Sequence, residues 1–96
     1  MATMRLAGFD EMAEESPDVI VDVRDPAEAD TWIPGAQRIH VASVSADRIE
    51  GDGPAWVHCA SGYRTMIAAS KIRAGGREVV AVLDDWRSWD GPTESA

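Results

Sequence analysis

A single cysteine, Cys59, stands in a chain of 96 residues that also carries only nine basic side chains against seventeen acidic ones. One thiol excludes an intramolecular disulfide, and without any CxxC, HExxH or Cys/His cluster a structural zinc site is not expected. The shortage of Arg and Lys leaves a net charge of −8 and no basic stripe, which argues against DNA or RNA as a partner. No apolar run approaches the roughly 20 residues that cross a bilayer, so no membrane partner is expected. The N-terminal MATMRLAGFDEMAEES also lacks the apolar stretch of about 7 to 15 residues found in secretory signals, and with the lone thiol this points to the cytoplasm. The length has no room for a second lobe. One domain over 1–96 is expected, with its core over about 4–90 and fraying at 1–3 and 91–96, where small and polar residues gather. An apolar content of 45% suffices for such a core.

What is present alternates. The run VIVDV at 19–23, bounded by Pro17 and Pro26, reads as a buried strand. Asp25, Pro26 and Glu28 supply an N-cap, a first-turn proline and a carboxylate at the third helical position, which predicts a short helix closed by Pro34 and Gly35. Residues 37–41 (QRIHV) form a second strand candidate, followed by one or two helical turns within 43–50 and a breaker cluster at 51–54. AWVH at 55–58 is a third strand, and RTMIAASKIRA from Arg64 a helix stopped by Gly75 and Gly76. VVAVL at 79–83 is a fourth strand, with a helical turn at 86–89. A weaker strand is expected at 4–6 and a weaker helix at 10–15. Short apolar strands alternating with helices predict a small parallel α/β sheet, because parallel neighbours need a crossover between them. Ligands of such sheets sit at the carboxyl ends of strands, which is where Cys59 falls.

Cys59, Ala60, Ser61, Gly62, Tyr63 and Arg64 join strand to helix in very few residues. Gly62 permits the tight curl, in which converging N–H groups and the positive helix N-terminus favour a thiolate. A cysteine so placed can fall from about 8.5 to between about 3.5 and 7.5, which makes it a nucleophile at neutral pH. Arg64 adds a permanent cation with a planar fork suited to the loop or to an anionic substrate. His58 precedes the nucleophile, but strand neighbours point to opposite faces, so it reads as a packed structural histidine. His40 reads as a strand residue without a catalytic part.

These residues resemble the single-domain rhodanese-like sulfurtransferases over about 18–89. Asp22-Val23-Arg24-Asp25-Pro26-Ala27-Glu28 is similar to the family's DVR-x-P-x-E turn. Trp32-Ile33-Pro34-Gly35-Ala36 is similar to its HIPGA motif, with Trp32 in place of histidine. The segment from Cys59 to Arg64 resembles its active-site loop, and Gly75-Gly76-Arg77-Glu78-Val79-Val80 its step into the last strand. The resemblance implies a rhodanese-like fold, a five-stranded parallel sheet with helices on both faces. It also implies that Cys59 takes sulfur from thiosulfate or a persulfide, that N–H groups of Ala60, Ser61, Gly62, Tyr63 and Arg64 cradle that sulfur, and that cyanide, a thiol or a protein sulfur carrier removes it. No cofactor or metal is implied. Phosphatases and arsenate reductases that resemble this loop have one more residue between Cys and Arg, to fit a tetrahedral oxyanion. The matching Asp22 and Arg24 belong to the scaffold near the site.

Two departures bear on activity. Ala60, Ser61 and Tyr63 are neutral where efficient thiosulfate users often carry basic residues, and Asp84-Asp85 replaces the usual Gly-Gly. Two carboxylates there are expected to repel a dianion and oppose the thiolate, or else to cap the turn leading to Trp89. Weak turnover of thiosulfate follows from the first reading, and a binding or regulatory module with little turnover is the alternative function. Trp32, Trp86 and Tyr63 are candidates to wall the pocket, and Trp56 and Trp89 to fill core or seam.

Overall fold

A computed structural model of the chain describes residues 3–95. In chain order its elements are β1 (Met4–Ala7), α1 (Phe9–Glu15), β2 (Ile20–Asp22), β3 (Thr31–Trp32), β4 (Gln37–Arg38), β5 (Ala55–His58), α2 (Tyr63–Ala74), β6 (Val79–Val82) and β7 (Glu94–Ser95). Single 3-10 turns occur at Ala46–Arg48 and Trp86–Ser88. Five strands form a parallel sheet in the order β1-β6-β5-β2-β4.

The period of two along each strand builds a core on each face. Val21, Ala55, Val57, Val79 and Ala81 pack with Ala68, Ala69 and Ile72 of α2 on one side. Trp56, Val80 and Val82 pack with Phe9 and Met12 of α1 on the other. Every residue of β5 and β6 is buried, as expected for strands covered on both faces. Helix α2 ends as its glycines suggest: Gly76 N–H donates to Arg73 O at 2.9 Å and Arg77 N–H to Ile72 O at 3.3 Å, with Gly76 at φ +90°.

The helix expected from Asp25 does not form. Its cap does: Asp25 N–H donates to Glu28 Oε1 at 3.0 Å, and Ala27 N–H to Asp25 Oδ1 at 2.9 Å. The chain makes one turn there and then extends into β3. Arg24 Nη2 donates to Thr31 O at 2.7 Å and Arg38 Nη2 to Ala29 O at 3.2 Å, so guanidinium groups take carbonyls that a longer helix would use itself. Strand β4 is shorter than expected, although Ile39 N–H to Asp22 O at 3.0 Å and Val41 N–H to Val23 O at 3.3 Å continue its pairing with the β2 segment. The stretch 43–50 contributes one 3-10 turn.

A second, two-stranded antiparallel sheet joins β3 to β7, with Thr31 opposite Ser95 and Trp32 opposite Glu94. No local pattern announces it, because two residues carry no periodicity and their partners are more than sixty positions away. The expectations for Met1, Ala2 and Ala96 lie outside the described residues. No helix among the described residues is long and apolar enough to cross a membrane.

Candidate active site

Strand β5 ends at His58, and the next residue, Cys59, faces α2 within the first core. The chain then turns sharply, and Gly62 is the reason it can. Gly62 has φ +93°, and a Cβ there would lie 2.8 Å from Leu83 O. That curl directs the Gly62 N–H onto Cys59 Sγ at 3.0 Å.

Complete burial pushes the Cys59 thiol up. The Thr65 hydroxyl and the N–H groups of Ser61, Thr65 and Gly62 act on the sulfur in the opposite direction, and together they hold the thiol below its ordinary value. The Thr65 hydroxyl is fully buried and has no hydrogen-bond partner, so it is free to donate to a thiolate at Cys59. Sequence reasoning ended the site at Arg64 and missed Thr65. The available signal was positional, a hydroxyl residue in the first turn of the helix that the loop opens.

The other loop residues divide the work. The Ala60 carbonyl accepts the Trp86 N–H at 2.7 Å and ties the loop to the turn after β6. Tyr63 stands 78% exposed, so it does not close over the sulfur. Arg64 is paired: its Nη1 donates to Glu28 Oε1, which holds Arg64 above and Glu28 below their ordinary values. Glu28, expected as a helix-capping carboxylate, thus reaches the active-site loop as well.

Asp22 and Arg24 form a buried ion pair on the opposite face of the strand ends. Arg24 Nε donates to Asp22 Oδ1 at 3.0 Å and Nη2 to Oδ2 at 2.6 Å. Burial raises the Asp22 carboxyl, but the Arg24 hydrogen bond and the nearby His58 and Arg24 charges bring it below its usual range. The Arg24 guanidinium lies 4.1 Å over the Trp86 ring, and Trp86 stacks on His58 at 5.3 Å and 11°. His58 is fully buried with neither ring nitrogen hydrogen-bonded, and desolvation lowers it to about 4, so it is neutral at pH 7. It faces Phe9 and Trp86, away from Cys59, as strand alternation requires.

Of the two aspartates after β6, only Asp85 caps the turn leading to Trp89. Asp84 Oδ2 accepts the Phe9 N–H at 2.9 Å and so caps α1, not the turn beside it. Asp85 caps that turn through the Arg87 N–H at 2.9 Å and pairs with the Arg87 guanidinium, whose hydrogen bond lowers the Asp85 carboxyl. Each carboxylate thus has a local partner, a neutral N–H for Asp84 and the Arg87 guanidinium for Asp85. Trp32 lies under the Arg38 guanidinium at 3.9 Å, on the β3 and β7 ribbon, while Trp56 and Trp89 pack in or against the second core. His40 follows β4 and accepts the Ser43 N–H at its carbonyl.

A family model for the rhodanese-like domain matches residues 6–91. The chain belongs to the rhodanese-like family. Its fold is similar to that of a rhodanese-like domain protein from Staphylococcus aureus, with 25% identity and a TM-score of 0.79 over 97% of this chain and 99% of that one. A structure from Staphylococcus saprophyticus subsp. saprophyticus shows 25% identity and a TM-score of 0.80 over 95% and 99% of the two chains. No curated protein gives a significant match. The rhodanese-like match and the Staphylococcus aureus fold together account for almost all of the given residues. Among the described residues no group of three His, Cys, Asp or Glu side chains is arranged to hold a metal ion.

Proposed function

We propose that this rhodanese-like domain is a sulfurtransferase in which Cys59 carries a sulfane sulfur. The observation that supports this most is the Gly62 N–H at 3.0 Å from a thiol that the Ser61 and Thr65 groups also draw toward its anionic form. The Cys59 thiolate attacks the outer sulfur of thiosulfate, the donor's S–S bond breaks, and sulfite leaves with the bonding pair. Cys59 is left as a persulfide whose negative terminal sulfur can use the same N–H donors. A thiophilic acceptor then attacks that terminal sulfur. With cyanide, thiocyanate leaves and the thiolate returns. A thiol or a protein sulfur carrier reacts at the same atom.

Loop length supports sulfur over phosphoryl transfer, because four residues separate Cys59 from Arg64 and the curl encloses one atom rather than a tetrahedral anion. A reducing, cytoplasmic setting suits a carrier that rests as a free thiolate. A second reading, a binding or regulatory module without turnover, is favoured by the complete burial of Cys59, which obliges the loop to open before a donor arrives.

Intact mass separates the two readings. After treatment with thiosulfate or methanethiosulfonate, the carrier gains about 32 Da, loses it with cyanide, and shows no gain as Cys59→Ala. No adduct from either donor, with the fold intact, overturns the carrier reading in favour of the module.

A further inference from the structure

The loop around Cys59 contains one cation, Arg64, and Glu28 already occupies it. Glu28 is held in place for that contact. Its Oε1 accepts the Asp25 N–H at 3.0 Å, its own N–H donates to Asp25 O at 3.0 Å, and Asp25 Oδ1 accepts the Ala27 N–H at 2.9 Å. Pro26 stiffens the same turn by fixing its own φ. The cap that failed to start a helix therefore serves to present a carboxylate to the active-site loop.

The pair is open to solvent beside the loop, with the Arg64 side chain 25% and the Glu28 side chain 41% exposed, and a charge on Cys59 acts on Arg64. Asp25 adds a second negative charge that acts on Arg64. The Arg64 guanidinium thus faces two carboxylates and the thiolate, while Arg24, the other cation that acts on Glu28, is itself paired with Asp22, so the surroundings of the thiolate carry net negative charge. Asp85 is paired with the Arg87 guanidinium and adds little to it.

We infer that Glu28 determines donor specificity, by occupying Arg64 so that singly charged or uncharged sulfane-sulfur donors are accepted in preference to dianions. This rests on the carrier reading of Cys59. A dianion must either displace Glu28 or approach an unneutralised carboxylate and thiolate together. A donor of lower charge meets less repulsion and has less need of the guanidinium.

Thiosulfate and methanethiosulfonate test the idea, because each presents an S–S bond of the same kind and they differ by one charge. The second reaction balances as the first does: the thiolate takes the outer sulfur, the S–S bond breaks, and methanesulfinate leaves with the bonding pair. In Glu28→Gln, whose amide oxygen can keep the Asp25 hydrogen bond, kcat/KM for thiosulfate rises about tenfold, mainly through KM, and that for methanethiosulfonate about threefold. An equal change for both donors overturns the inference. The unaltered protein supplies a second reading that needs no variant: added salt raises its thiosulfate-to-methanethiosulfonate ratio of kcat/KM, because screening relieves repulsion of the dianion more. A ratio that falls with salt overturns the inference while leaving the carrier reading intact. Failure of both donors to transfer sulfur overturns the carrier reading and the inference with it.

Discussion

Thr65 brings a side-chain hydroxyl to bear on Cys59 from the first turn of α2, whereas Ser61 acts on the sulfur through its backbone N–H. Replacing it with valine keeps the shape and removes the donor. In Thr65→Val the pH midpoint of iodoacetamide alkylation of Cys59 moves up, because burial is then opposed by backbone N–H groups alone. Gly62 answers to geometry. In Gly62→Ala a Cβ would sit 2.8 Å from Leu83 O at φ +93°, which costs about 2–4 kcal/mol of stability in urea unfolding and slows alkylation by displacing the N–H from the sulfur. Cys59, Gly62 and Arg64 were legible as a string because their spacing is local. Thr65 and Glu28 were not, since the first acts back across a helical turn and the second across 36 residues.

Among the elements, α1 depends on a residue far from it in sequence. Its N-cap is Gly8, which has no side chain to donate to, and Asp84 takes the Phe9 N–H instead. Asp84→Ala is expected to cost about 1 kcal/mol, which lowers Tm by about 4–8 °C in a domain of this size. The same variant leaves KM for thiosulfate unchanged, whereas the repulsion argued from sequence would have it fall. The ends of β2 and β3 are joined by Arg24, which binds both Asp22 and the Thr31 carbonyl. Asp22→Ala strands that guanidinium in a buried site and costs about 3–5 kcal/mol, measurable by urea unfolding. The strands and α2 were readable because apolar periodicity and glycine stops are local signals. The turn at 25–28 was misread as a helix because its capping residues are the same in both structures, and only the guanidinium groups of Arg24 and Arg38 decide how the chain continues.

For the whole molecule, acid is the expected weakness. His58 has a folded value of about 4 against 6.5 when free, so between those values the unfolded chain holds a proton that the folded chain does not. Lowering the pH from 6.5 to 4 therefore draws the equilibrium toward unfolding, by about 3 kcal/mol at the end of the window. Asp22, held below its free value of 3.8, contributes stability above that pH and loses it as the pH falls further through its folded value. Urea midpoints measured from pH 7 to pH 4.5 fall for the parent protein. They fall less for His58→Phe, which keeps an aromatic ring beside Trp86 and removes the titrating group.

By itself the sequence determined the parallel α/β sheet and the placing of a lone thiol at a strand's carboxyl end, while helices on both faces came only with the family resemblance. The sheet and the thiol's place follow from patterns within a few residues: short apolar strand runs, glycine stops, and one tight turn from Cys59 to Arg64. Only the tertiary structure decided how charge is distributed around that thiol. Arg64 is shared with Glu28, Asp84 and Asp85 are spent on other partners, and Thr65 faces the sulfur. Electrostatic partners are chosen by distance in space, and residues far apart in the chain carry no local signature of where folding brings them.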